Sequence, residues 1–246
     1  MKIKKAVLPS FFTITNAFLG FLAITYIFEG RHIGAAWLII FAAICDNLDG
    51  KIARLSKSQS LFGKELDSLA DAVSFGVAPA YLVYVTNFST IEVWGAVFCF
   101  VYLFAGIFRL ARFNVETSTI KSRVYKGLTI PMAAITISTF MIMSNYYWGT
   151  ISMPHILMML VPGLSVLMIS TVPYGTVPIP RLSLSLRKNI MPLFYLTGVI
   201  FTIINPPKWM FPWIIGYIFI YLIRWIVKKL REREKEVELF DDKMPL

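Results

Sequence analysis

The chain has 246 residues, of which 57% are hydrophobic and 15% aromatic, and its formal net charge is +10 at pH 7. This composition excludes an ordinary soluble domain and predicts a polytopic integral membrane protein. Basic residues in such a protein mark cytoplasmic loops that face anionic lipid, so no nucleic-acid partner is expected. Cys45 and Cys99 both lie in apolar segments, which argues against a disulfide framework or a cysteine metal site.

Apolar stretches near the length that crosses a bilayer, about 20 residues, predict eight helices. They lie at 8–28, 33–54, 63–85, 91–113, 128–148, 152–170, 190–206 and 209–227. The first is too long for a signal peptide and no small-residue cleavage site follows it, so it is expected to stay in the protein. With both termini in the cytoplasm, 22 of the 24 Lys and Arg residues fall on the cytoplasmic side, as the positive-inside rule requires. We therefore predict an all-α fold with this topology.

Carboxylates interrupt the second and third predicted helices. The apolar run 33–45 has 13 residues and the run 72–85 has 14, so neither crosses the bilayer without its polar neighbours. Those neighbours include Asp46, Asp49, Asp67 and Asp71. An ionisable residue at the centre of a membrane helix costs about 2.5–3.5 kcal/mol on insertion scales. A shared cation is the simplest compensation for four of them.

Helical spacing predicts that these residues line two facing surfaces. The first surface comprises Asp46, Asp49, Gly50, Ala53 and Arg54, and the second comprises Gly63, Asp67 and Asp71. Four hard oxygen ligands suit Mg²⁺ or Mn²⁺ and are enough for two ions. The three small residues leave room for a bulky ligand, and the arginine suits a phosphate. Helix capping is a poor alternative, because two aspartates lie near a helix C-terminus, where the macrodipole disfavours anions.

The pattern D-x2-D-G-x2-A-R-x8-G-x3-D-x3-D resembles, without a departure, the signature of the CDP-alcohol phosphotransferase (CDP-alcohol phosphatidyltransferase) family. The resemblance implies one membrane domain over 1–246, with a six-helix catalytic core at 1–180 and the signature at 46–71. Two further helices at 190–228 and a charged cytoplasmic tail at 229–246 complete the expected chain.

The same resemblance implies an active site and an assembly. The four aspartates would hold two divalent cations, Mg²⁺ or Mn²⁺, against the pyrophosphate of a CDP-linked lipid, with Asp71 also acting as general base. Gly50, Ala53, Arg54 and Gly63 would lie against that lipid. Thr13 and Asn16 would approach the nucleotide; the alternative is that they cap the start of the first helix. Related enzymes are homodimers, so a homodimer is expected.

Four further stretches, "FLGFLAI", "GIFRLARFNVE", "YKGLTIPMAA" and "LMISTVPYGTVP", are similar to the branch of the family that uses L-serine. The resemblance covers about residues 8–180. It implies a multi-pass cell-membrane enzyme whose site faces the cytoplasm. The enzyme would transfer the phosphatidyl group from CDP-diacylglycerol, or the corresponding group from CDP-archaeol, to serine and release CMP.

The acceptor residues expected from these stretches are Arg109, Arg112, Asn114 and Lys126. The two arginines are three residues apart on a helix and would bind the serine carboxylate or a lipid phosphate. Asn114 and Lys126 would contact the amino acid or the diphosphate. The alternative is that the arginines only anchor a helix end at the membrane surface and that the lysine is solvated.

Two other functions stay open on the residues alone. A relative that accepts glycerol 3-phosphate or inositol phosphate needs a dense basic pocket, and Arg109, Arg112, Arg123 and Lys126 would supply one. A divalent-cation transporter would also place carboxylates between membrane helices. A transporter, however, has no evident need for Gly50 and the other small and basic residues at these offsets, and its acidic residues would lie near the midplane.

Overall fold

The structure is a computed structural model that describes residues 3–55, 61–119, 125–174 and 196–241. The first half contains the helices α1 (Ile3–Phe28), α2 (His32–Leu55), α3 (Leu61–Asp71), α4 (Ala78–Val83) and α5 (Glu92–Thr119). The second half contains α6 (Ile130–Trp148), α7 (Pro154–Ile169), α8 (described over 196–204) and α9 (Pro206–Asp241). The predicted all-α class is confirmed.

One small feature lies outside the all-α expectation. Strands β1 (Tyr125–Lys126) and β2 (Pro173–Tyr174) pair antiparallel, with Tyr125 opposite Tyr174. The pairing joins the segment before α6 to the segment after α7, at the same end of the molecule. It therefore joins the connection between the predicted helices 91–113 and 128–148 to the connection that follows the predicted helix 152–170.

Several helices have the length and the apolar surface of membrane spans. In the described ranges, four candidates are long and apolar enough: Phe11–Phe28, His32–Ile52, Leu61–Glu116 and Pro206–Arg233. Helix α7 is apolar but shorter. Large side chains such as Phe18 and Phe100 are exposed, as expected for helices whose outer faces contact lipid. The protein is thus an integral membrane protein; the number of eight spans stays a prediction.

The predicted third helix, 63–85, is a series of helical segments rather than one regular α-helix. A π-helical segment, Ala72–Val77, follows Asp71, and a second, Tyr84–Phe88, follows α4. Pro79 has no N–H, so it cannot bond the carbonyl of Phe75 one turn earlier. The buried Tyr102 hydroxyl of α5 donates to that carbonyl over 2.9 Å instead. A side chain from another helix thus satisfies the backbone group that the proline leaves open.

Helix α6 lies at the centre of the bundle. Its buried residues include Ile130, Ala134, Ile137 and Phe140, and Phe140 packs against Phe211 of α9 with ring centroids 5.3 Å apart. Small residues elsewhere allow close approach: a Cβ on Gly106 of α5 would lie within 3.1 Å of the Ile130 side chain. Helix α6 therefore packs against α2, which carries two of the carboxylates, and against the π-helical segment that follows Asp71.

Candidate active site

The acidic site forms where α2 meets α3. Asp46 and Asp49 lie on the C-terminal half of α2, and Asp67 lies on α3. One carboxylate oxygen from each lies within 4.8 Å of the others. Asp49 is only 5% exposed. The two faces that helical spacing predicted to meet therefore do meet.

Asp71, the last residue of α3, is not one of these three ligand candidates but lies next to them. Its carboxylate is 6% exposed and is an electrostatic neighbour of Asp46 and Asp67. It also accepts a hydrogen bond from Asn16 Nδ2 over 3.1 Å. The π-helical segment begins at the next residue, and such segments are frequent at functional sites.

Helix α1 supplies polar partners to this group. Thr13 Oγ1 donates to Asp49 Oδ2 over 3.0 Å, in parallel with the bond from Asn16 to Asp71. Both residues lie well inside α1, which begins at Ile3 rather than at the predicted residue 8. They are therefore not helix caps, and that alternative is wrong. In this structure they contact two of the aspartates.

The donor set fits a divalent cation. The four carboxylates, Asp46, Asp49, Asp67 and Asp71, provide hard oxygen atoms, which Mg²⁺ and Mn²⁺ prefer. The Oδ1 atom of Asp67 is buried and has no hydrogen-bond partner among the described residues. Buried anionic oxygens are costly unless a cation or donor compensates them. A cation bound between α2 and α3 would supply that compensation.

The structure describes two of the small and basic signature residues fully and the other two only by their place in a helix. Gly50 lies in α2, one turn after Asp46, and Gly63 lies in the first turn of α3. Ala53 and Arg54 lie in the last turn of α2, but their side chains are outside the described part of the structure. Contact of these four residues with a CDP-linked lipid stays a prediction.

Arg109 faces the carboxylates from α5. It is 6% exposed and is an electrostatic neighbour of both Asp46 and Asp71. Its guanidinium carbon lies 5.4 Å from the centre of the Phe113 ring. A buried, fixed cation beside the acidic group is well placed to bind an anionic part of a substrate.

Arg112 has a different environment, although it is only three residues further along α5. It donates to the backbone carbonyl oxygens of Ile169 (2.6 Å), Met168 (3.3 Å) and Ser170 (3.2 Å). Carbonyls at a helix C-terminus lack intrahelical partners and attract cations. Arg112 therefore caps α7; its predicted part in acceptor binding stays a prediction.

Asn114 connects α5 to α3. Its Nδ2 donates to Ser68 Oγ over 2.9 Å and to Glu65 Oε2 over 3.3 Å. Lys64 Nζ donates to the Asn114 backbone carbonyl over 2.9 Å. These contacts hold the helix of Asp67 against the helix of Arg109. Lys126 lies in β1, its side chain is outside the described part, and Arg123 is not described.

Sequence reasoning missed Ser74. Its hydroxyl is buried and donates to the Asn16 backbone carbonyl over 2.8 Å. The available signal was its position three residues after Asp71, which places both on one face of a helix. The sequence gives no direct sign of its contact with α1, because 58 residues separate the two partners.

Comparison with known proteins shows the family of this chain. Residues 6–170 match the model of the CDP-alcohol phosphatidyltransferase family. A CDP-diacylglycerol–serine O-phosphatidyltransferase of Helicobacter pylori (strain J99) is 32% identical over 222 residues, covering 89% of this chain and 90% of the relative. An archaetidylserine synthase of Methanothermobacter thermautotrophicus is 38% identical over 174 residues, covering 69% and 70%. A CDP-diacylglycerol–serine O-phosphatidyltransferase of Saccharomyces cerevisiae is 38% identical over 138 residues, covering 50% and 49%. With its four aspartates gathered between α2 and α3, this chain belongs to the CDP-alcohol phosphatidyltransferase family.

Proposed function

We propose that the protein is a phosphatidylserine synthase, which transfers the phosphatidyl group of CDP-diacylglycerol to the hydroxyl of L-serine and releases CMP. CDP-archaeol would take the place of CDP-diacylglycerol in a membrane of archaeal lipids. The observation that carries the proposal is the carboxylate group of Asp46, Asp49 and Asp67, together with a buried arginine, Arg109, that is an electrostatic neighbour of Asp46. The names of the similar proteins from a bacterium, an archaeon and a yeast support serine as the acceptor.

The aspartates would perform the chemistry of transfer. Two divalent cations, Mg²⁺ or Mn²⁺, held by Asp46, Asp49, Asp67 and Asp71 would neutralise the pyrophosphate and the leaving CMP. Asp71 would take the proton of the serine hydroxyl as its oxygen forms a bond to the phosphorus that carries the lipid. The bond from that phosphorus to the CMP oxygen breaks, and CMP leaves with the electron pair.

The CDP-linked lipid would lie across the crossing of α1, α2 and α3. Gly50 and Gly63 lack a side chain and lie on the two helices that carry the aspartates, which would let the lipid approach the backbone there. Ala53 would leave further space, and Arg54 would bind a phosphate oxygen. Thr13 and Asn16 would contact the nucleotide from α1, beside the aspartates that they already bond.

Arg109 is the leading candidate for recognition of serine. Its buried guanidinium is an electrostatic neighbour of Asp71, so a carboxylate bound to it would bring the serine hydroxyl toward the base. Arg112, Asn114 and Lys126 would complete the acceptor pocket, with Arg112 at its edge and acting mainly as the cap of α7. Contacts that the first two make with α7 and α3 suggest that they shape this pocket as well as line it.

The wider organisation follows from the same proposal. The protein would be a homodimer in the cell membrane, with several spans, lipid around its outer faces and both termini in the cytoplasm. Residues 1–180 would form the catalytic core, with the site on the cytoplasmic side. Helices within 190–228 would add two spans, followed by the charged tail at 229–246.

The test is CMP release by the purified protein from CDP-diacylglycerol and from CDP-archaeol, with Mg²⁺ or Mn²⁺. L-serine, glycerol 3-phosphate and inositol phosphate are compared as acceptors. Release that depends on serine is the expected result. Release only with a phosphorylated acceptor would refute serine and leave the metal chemistry standing. If the protein binds the metal but releases no CMP with any acceptor, the result would favour a divalent-cation transporter.

A further inference from the structure

Asn16 and Ser74 meet where α1 crosses the π-helical segment after Asp71. Both residues are 0% exposed. Ser74 Oγ donates to the backbone carbonyl of Asn16 over 2.8 Å, and Asn16 Nδ2 donates to Asp71 Oδ1 over 3.1 Å. A buried chain of hydrogen bonds therefore runs from Ser74 through Asn16 to the carboxylate.

Gly20 sets the distance at which these bonds form. It lies one turn after Asn16 on the same face of α1. A Cβ at position 20 would lie 2.6 Å from the Cα of Ser74, a separation that real Cβ atoms essentially never show. The close approach of the two helices thus requires glycine. At this separation, the Ser74 hydroxyl reaches the backbone of α1.

The chain of bonds restricts what the Asp71 carboxylate can do. Asn16 bonds the Oδ1 atom of Asp71 and so restrains the orientation of a carboxylate that also neighbours Asp46. A catalytic carboxylate works only when its rotamer is fixed by supporting contacts. Loss of such a supporting contact commonly reduces metal affinity or activity by about 10- to 100-fold.

We propose that Asn16 and Ser74 are positioning residues for Asp71, with Ser74 acting through Asn16. This inference rests on the proposed function, in which Asp71 is both base and metal ligand. It differs from the proposed nucleotide contact of Asn16. The bonds that it uses are the one that the Asn16 side-chain N–H donates to Asp71 and the one that the Asn16 backbone carbonyl accepts from Ser74. The π-helical segment contributes by presenting Ser74 to α1 immediately after the catalytic carboxylate.

A double-mutant cycle tests the proposal, with Ser74→Ala, Asn16→Ala and the combined variant. Ser165→Ala is the matched control: Ser165 is also buried and its hydroxyl also donates to a backbone carbonyl over 2.8 Å, but within α7. Each protein is assayed for kcat, for KM of the CDP-linked lipid and for direct Mn²⁺ binding. Asn16→Ser, which keeps a shorter donor, replaces Asn16→Ala if the latter does not fold.

We expect Ser74→Ala to lower kcat and Mn²⁺ affinity by about 10-fold each, the lower limit for loss of a supporting contact. With Mn²⁺ at a saturating concentration, its KM for the CDP-linked lipid should stay within about twofold, since no residue proposed to contact the substrate is changed. The combined variant should match Asn16→Ala within about twofold, because Ser74 acts through Asn16. Ser165→Ala should behave as the unmodified protein does.

Two results would overturn the proposal: Ser74→Ala indistinguishable from Ser165→Ala, or effects of Ser74→Ala and Asn16→Ala that simply multiply. Multiplication would mean that the two residues act independently. The cycle is measured with whichever acceptor the unmodified protein uses, so a wrong acceptor does not affect it. If no acceptor supports turnover, the proposed function fails, and the Mn²⁺ titrations still decide whether the two residues position Asp71.

Discussion

Replacement of Arg112 by methionine separates its role from that of Arg109. Methionine keeps an unbranched apolar side chain of similar length but removes every donor. The carbonyls of Met168, Ile169 and Ser170 then lose the guanidinium that caps α7. We expect the main effect to be loss of stability, with a small effect on recognition of serine.

The magnitude follows from the geometry of these contacts. A hydrogen bond from a charged donor contributes about 1.5–3 kcal/mol when it is well formed. The 2.6 Å bond to Ile169 is short, whereas the bonds at 3.3 and 3.2 Å are at the long end of the usual range. One full bond and two weak ones in a partly exposed site give an expected loss of about 3 kcal/mol in the free energy of unfolding. For a chain of this size, that lowers Tm by about 6–12 °C.

The assay measures thermal unfolding in detergent together with KM for serine. Arg112→Lys is the control for charge: an ammonium group keeps the charge but lacks the planar fork, so it should restore only part of the stability. Arg109→Lys is the control for recognition and should raise KM for serine by about 10-fold or more, because a bidentate contact is lost. Unchanged unfolding of Arg112→Met with a rise in KM equal to that of Arg109→Lys would refute the reasoning. Arg112 would then act as a ligand of the acceptor.

Four further predictions concern the site and its supports. Asp71→Asn should retain binding of the CDP-linked lipid, measured by equilibrium binding, but lose transfer; near-normal turnover would show that Asp71 is not the base. Asp46→Ala should lose Mn²⁺ binding in a direct titration, together with lipid-nucleotide binding and transfer, because one carboxylate that binds the ion is missing; retained Mn²⁺ affinity would show that Asp46 is not a metal ligand. Chelation by EDTA should abolish CMP release, and added Mn²⁺ or Mg²⁺ should restore it; activity that persists in EDTA would contradict a metal requirement. Gly127→Ala should lower Tm more than Gly149→Ala: both glycines have positive φ, at +81° and +64°, but only a Cβ at 127 meets other atoms, including Ser170 O at 2.9 Å. Equal losses would show that backbone strain alone is responsible.

Most of what could be predicted about the fold came from the length of the apolar stretches. The length of the apolar stretches predicted the ends of α2 and α6 to within about two residues, because a membrane-spanning helix can be recognised from its local composition. The break after Asp71 was not predicted, since it depends on Pro79 and on a hydroxyl from α5 that satisfies the freed carbonyl. Helix α9 extends to Asp241, so the described part of the charged tail continues the last predicted span as a helix.

The sequence by itself determined the chemistry of the site. The spacing of Asp46, Asp49, Asp67 and Asp71 fixes which helix faces carry carboxylates, because 3.6 residues per turn is a local property of the backbone. Tertiary structure decided the partners. Thr13 reaches Asp49 and Asn16 reaches Asp71 across 36 and 55 residues, separations at which helical periodicity carries no information. It also gave different surroundings to Arg109 and Arg112, since helix crossings, rather than spacing along α5, determine which side chain meets the carboxylates and which meets the end of α7.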